Sequence, residues 1–199
     1  MQQYPYTLWT DLFQDYPIIQ SDNEAIAHKL GREVKIIADD WESEIDCGAI
    51  HPERNWFAWK EYRQRLTKDE RNWIVCNYYL HIVADGSETL NWPIKTYNPV
   101  FGCGADYFRW YKDSFVMIYH EKHHYYGVSC SLSNVERLVE LCQYGGEGAV
   151  KDDVFYVYFP YGNALEPLRR FSLPNFVELN VMTLEAALAE GVLVKRAAS

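Results

Sequence analysis

The sequence predicts an α+β fold: a helical N-terminal half, then a mostly antiparallel β-sheet in the C-terminal half with a helix packed on it. Three observations carry this expectation. The first is the pattern of residues 54–84. In 54–66, Trp56, Trp59, Tyr62 and Leu66 recur at helical spacing, while Lys60, Glu61, Arg63 and Arg65 take the other side. Thr67-Lys68-Asp69-Glu70 then has the form of a capping box, and the stretch it opens is apolar nearly all round from Trp73 to Val83. The second is a change of period near Lys95. Stretches 106–111, 115–120 and 125–131 are dense in Tyr, Phe, Trp, Val and Ile, separated by Lys112-Asp113-Ser114 and Glu121-Lys122-His123, and read as a three-stranded antiparallel meander. The third is Ser133-Asn134-Val135-Glu136, another capping box. Val135, Leu138, Val139 and Cys142 follow it at i, i+3, i+4 and i+7, the spacing of a helix lying on a sheet.

The remaining elements fit around these. Residues 1–20 carry Pro5 and Pro17 and read as an irregular aromatic arm or a short helix over 8–13, packed onto a single domain spanning 1–199. Ser21-Asp22-Asn23-Glu24 caps a helix that runs to Leu30 and stops at Gly31, and 34–37 reads as a short strand. Residues 154–159 form an aromatic strand covered on both faces, and the Pro-rich stretch 160–175 a loop. After a possible strand at 176–181, Thr183 caps a short helix closed by Gly191.

Composition narrows the function. With 199 residues, 48% hydrophobic and 24% charged, the chain is long enough for a sizeable core and ordinary in balance. A net charge of −9 argues against nucleic acid as the main ligand, because phosphate binding needs a basic footprint. No window has the length of a membrane span. The first residues lack the basic start and apolar run of a leader, and five cysteines form no C-x-x-C pair, so the expectation is a cytoplasmic chain with reduced thiols. Aromatic residues reach 16%, which keeps a carbohydrate-binding module in view, since Tyr and Trp stack on sugars.

One string looks catalytic. His120-Glu121-Lys122-His123-His124 resembles the His-Glu-x-x-His motif of zinc peptidases, and with Gly127 and Cys130 it resembles the longer metzincin string, Cys130 standing where that family has a third His. The resemblance implies zinc held by His120, His124 and Cys130, with Glu121 as general base, in a metallohydrolase whose motif lies on a helix. Lys122 and His123 occupy positions that are apolar in a buried zinc helix, and both flanks are rich in strand-forming residues. The sequence therefore favours a hairpin turn, no catalytic residue and no cofactor. Two weaker signals are Cys103 between glycines and the loop pair Arg169-Arg170.

The remaining feature is an acidic run. Asp39, Asp40, Glu42, Glu44 and Asp46 fall within eight positions, with Trp41 and Ile45 among them. An apolar anchor inside an acidic rim suits a contact with a basic protein, charge steering the encounter and the aromatic supplying affinity. The expectation is a non-catalytic, acidic protein-binding protein that neutralises a basic partner in the manner of a toxin-immunity protein, an analogy of charge and size.

Overall fold

The computed structural model describes residues 5–10, 22–38, 41–65, 76–94, 104–121, 124–143, 146–159 and 168–196. Among them are fifteen strands and two short helices. After β1 (Tyr6–Leu8) and α1 (Asn23–Leu30), the strands β2 (Lys35–Ala38), β3 (Trp41–Ile50), β4 (Trp56–Arg65), β5 (Cys76–Ala84) and β6 (Ser87–Ile94) form sheet I. Sheet II comprises β7 (Gly104–Tyr111), β8 (Ser114–Glu121), β9 (His124–Cys130) and β10 (Val135–Gln143). Sheet III comprises β11 (Glu147–Lys151), β12 (Val154–Tyr158), β13 (Leu168–Ser172) and β14 (Val177–Glu178). The described chain ends with α2 (Leu184–Ala189) and β15 (Leu193–Lys195), which pairs with β1. Every pairing is antiparallel, and within sheets I to III each strand neighbours the next in sequence. The turns are short: Asp85-Gly86 and Asp152-Asp153 both carry positive φ at each residue, the geometry that matches the twist of a two-residue hairpin.

The sheets stack in layers. Ala58, Leu80 and Ile82 of sheet I meet Phe115, Met117 and Val128 of sheet II. Val116, Ile118 and Leu141, on the far side of sheet II, meet Phe155, Val157 and Phe171 of sheet III. Tyr156, Tyr158 and Leu168 then face α2, β1 and β15 through Ala187, Leu8 and Leu193. At the opposite end of the stack, α1 covers Ile45, Phe57, Trp59 and Val83 on the outer face of sheet I. A strand between two cores has apolar side chains on both faces, so it reads as a continuous apolar run.

That property corrects the expected helical half: the protein is mostly β. Residues 56–65 are strand, with Trp56, Ala58, Lys60 and Tyr62 on one face and Phe57, Trp59, Glu61 and Arg63 on the other. Both faces are covered along most of the strand, so aromatics at 56, 59 and 62 mimic a helical stripe. Lys60 and Glu61, read as solvated, are 0% and 1% exposed. From Cys76 the run ending at Val83 is β5, between α1 and sheet II; its first residues and the capping box at 67–70 lie outside the described residues. Residues 168–172, expected to be loop, are strand β13.

The meander over 106–131 is present, each strand extended by one or two residues at its start or end, but no helix lies on it. Residues 135–143 are its edge strand, β10. Two register shifts, between Val135 and Arg137 and between Glu140 and Cys142, insert an extra residue on each side of the strand centre. Val135 and Leu138 therefore share one face and Val139 and Cys142 the other, at a spacing of three that imitates a helix. Leu138 is 48% exposed. Leu138→Ala is accordingly expected to change the unfolding free energy by no more than about 0.5 kcal/mol, measured by denaturant titration; a loss of about 2 kcal/mol would mean the side chain is buried after all.

Candidate binding cleft on the outer face of sheet I

The outer face of sheet I is only partly covered. Helix α1 is brought against it at Gly48, where a Cβ would stand 2.4 Å from Ile26 Cδ1. Asp22 fixes the start of the helix by accepting a hydrogen bond from the Ile50 amide at 2.7 Å. At the other end Gly31 adopts φ 65°, and the chain turns back so that Arg32 reaches over the sheet. Beyond the helix, the outward residues of β3, β4 and β5 are polar: Ser43, Glu61, Arg63, Asn77 and Tyr79, with Trp41 at the edge.

Glu61 is the centre of this region. Its Oε1 accepts from Arg32 Nη1 at 2.8 Å and from Ser43 Oγ at 2.7 Å. Its Oε2 accepts from Arg63 Nε at 2.7 Å, and His81 Nε2 lies 3.2 Å away. Burial alone would raise the carboxyl's pKa, but the close approach of His81, hydrogen bonds from Arg32 and Ser43, and the charge of Arg63 hold it well below the usual carboxylate range. A carboxylate held this firmly as an anion is a weak base; its chemistry here is to anchor cations. His81 is held in turn, with its ring stacked 4.5 Å from that of Trp59 and Nδ1 2.6 Å from Glu88 Oε1.

Above Glu61 opens a cleft of about 420 Å³, walled by Trp41, Asn77 and Tyr79 and floored by Arg32 and Arg63. The Arg63 guanidinium lies 4.9 Å from the centre of the Tyr79 ring. That ring face is therefore occupied, whereas Trp41 is 41% exposed. No family profile, curated protein or solved structure matches this chain. The chemistry of the cleft therefore rests on its own side chains.

The expected partner-binding residues are split by the strand. Asp39 and Asp40 lie outside the described residues. Trp41 edges the cleft, whereas Ile45 is 0% exposed beneath α1 and is core. Glu42 and Glu44 face the other side and both meet Lys35, at 2.6 and 3.8 Å. The hydrogen bond from Lys35 lowers the pKa of Glu42. Asp46, the extra residue of a register shift in β3, binds the ammonium of the buried Lys60, which also lies over the Tyr78 ring. The described acids of the run, Glu42, Glu44 and Asp46, are thus each met by a lysine.

The zinc-like string does not lie on a helix. His120 and Glu121 end β8 and His124 opens β9, with Glu121 paired to His124 and His120 to Tyr125; Lys122 and His123 lie outside the described residues. Partners in an antiparallel ladder share a face, so His120 and His124 point to opposite faces of sheet II. Cys130 is six residues further along β9, about 20 Å away at strand rise. It is fully buried, and its thiol is pushed up to about 12 by burial and by the charge of Glu136. The structure therefore separates the three ligands the resemblance implied. Cys103 is outside the described residues, and Arg169 and Arg170 are engaged by Glu178 and by the Asn180 carbonyl.

Arg32, Glu61, Arg63 and His81 were not singled out by sequence. The signal was present at period two, where Glu61 and Arg63 share a face and His81 is the polar position opposite Trp59.

Proposed function

We propose that the protein works by binding another protein, through the end of sheet I where the β2–β3 hairpin borders the cleft. The observation that carries this reading is the exposure of two large hydrophobic side chains on that edge hairpin. Ile37 is 63% exposed and Trp41 41% exposed, and they project from opposite faces of it. An exposed Trp beside a polar cleft is the kind of residue that anchors an interface. The net charge of −9 would draw a basic partner and speed its encounter. Neutralising a basic toxin would be one form of such binding.

The test is site-specific photo-crosslinking in the native cell. A crosslinker at position 41 is expected to trap a discrete basic protein, and one at the distant exposed Val194 is not. With that protein purified, Trp41→Ala should weaken binding by on the order of 2 kcal/mol while leaving the melting temperature unchanged. Identical adducts from positions 41 and 194, or a Trp41→Ala variant of full affinity, would remove the reading.

A further inference from the structure

We propose that the cleft is a carboxylate receptor, in which Arg32 and Arg63 grip an aspartate or glutamate side chain of the bound protein. The inference deepens the binding reading above and rests on it for the identity of the ligand's carrier.

The first argument is an imbalance of donors. Both oxygens of Glu61 are filled, Oε1 by Arg32 and Ser43, Oε2 by Arg63 with His81 at its side. A guanidinium has five N–H donors. Arg32 uses three directions, Nε to the Glu33 carbonyl, Nη1 to Glu61 and Nη2 to Ser43 Oγ. Arg63 directs Nε and Nη2 to Glu61. Each guanidinium keeps further N–H groups for a ligand. The exposures are ordered to suit: the side chain of Glu61 is 2% exposed, whereas those of Arg32 and Arg63 are 21% and 45% exposed.

The second argument is charge. Two guanidinium groups share one buried carboxylate, and Glu42, whose side chain faces the other side of β3, is held by Lys35. The cleft floor therefore carries surplus positive charge in a chain of net charge −9. That sign selects an anion, and the field of the whole protein selects a small one: polyanions and phosphates are repelled by the acidic surface, whereas one carboxylate on a basic partner is delivered by it. Long-range charge would gather the partner and the arginine pair would set its register.

The third argument is preorganisation. Arg32 is tied at three points and Arg63 is both bonded to Glu61 and stacked on Tyr79. Their planar forks are fixed before the ligand arrives, so little side-chain freedom is lost on binding. Trp41 and Asn77, on the rim, are placed to cover the stem and the second oxygen of an incoming side chain.

The experiment uses the full chain and needs no partner. The protein, labelled with nitrogen-15, is titrated with N-acetyl-aspartate α-methylamide, whose one charge is the side-chain carboxylate, while the Arg63 Nε–H and Trp41 indole N–H signals are followed by NMR. Both are expected to shift saturably, and inorganic phosphate at the same concentration is expected to shift them less. Arg63→Lys, which keeps the charge and loses the fork, should weaken the titration about tenfold. Signals at Arg63 and Trp41 that do not move in the wild-type protein overturn the proposal, as does wild-type affinity in Arg63→Lys. Phosphate binding as tightly as the carboxylate overturns the assignment of ligand. Failure here leaves the protein-binding reading intact, and failure of the crosslinking experiment leaves a carboxylate site without its protein carrier.

Discussion

Glu61→Ala is expected to cost about 3–5 kcal/mol of folding stability, the largest effect of any single substitution at the cleft. The reason is what it leaves behind. Arg32, Arg63 and His81 converge on Glu61, and Ser43 donates to it, so removal of the carboxylate abandons several donors at a buried position. For a chain of this size the change corresponds to a fall in melting temperature on the order of 10 °C. Acid provides an independent check. The folded-state pKa of Glu61 is depressed, so its stabilising contribution is complete above the ordinary glutamate value of 4.5 and is lost as pH falls from there towards the folded-state value. Wild-type stability should decline over that acid range, and Glu61→Gln should flatten part of the decline. A Glu61→Ala variant that melts within a degree or two of wild type, with an unchanged acid limb, would show that the network is incidental to the fold.

How much of this was legible in the sequence depends on the range of the interactions concerned. Two helix boundaries were legible locally, whereas the capping box at 133–136 precedes a strand. Gly31 ends α1 at positive φ, and Thr183 Oγ1 accepts from the Ala186 amide at 3.1 Å to start α2. The density of Phe, Val, Ile and Tyr over 115–120 marked β8 as a strand. What failed was the choice of period in β4, β5 and β10. In β4 and β5 polarity no longer alternates, because α1 covers one side and sheet II the other. In β10 the register shifts replaced a spacing of two with a spacing of three.

The cleft was hidden by the same error. On a helix, Glu61 and Arg63 belong to a solvated side; on a strand they share a face with Ser43 and Tyr79. Their partners, Arg32 and His81, come from other elements, so only the sheet pairing brings the cluster together. The acidic run shows the converse: alternation puts Trp41 and Ile45 on one face of β3 and Glu42 and Glu44, both met by Lys35, on the other.

The second large effect is expected between sheets II and III, at Gly127 and Phe176. Gly127, in the central part of β9, pairs with Ile118 and Val139 and faces sheet III. A Cβ there would lie 2.5–2.8 Å from three ring atoms of Phe176, which is fully buried. The ring lies directly on the strand backbone, a contact that no side chain larger than hydrogen permits. Phe176 holds this position with φ 48°, a left-handed conformation unfavourable for a bulky residue and sustained by the packing around it. Gly127→Ala should therefore cost about 1–3 kcal/mol through overpacking, because the rigid ring cannot swing aside as the end of an aliphatic chain could. Phe176→Ala should cost about 3–5 kcal/mol through lost contacts and a cavity. The two substitutions compete for one space, and the methyl introduced at 127 fills part of what the ring vacates. The double variant is thus expected to be more stable than the sum of the single losses by on the order of 1 kcal/mol, read from a denaturant double-mutant cycle. Strict additivity would mean that the ring and the glycine do not meet, and the packing of sheet II on sheet III would need another account.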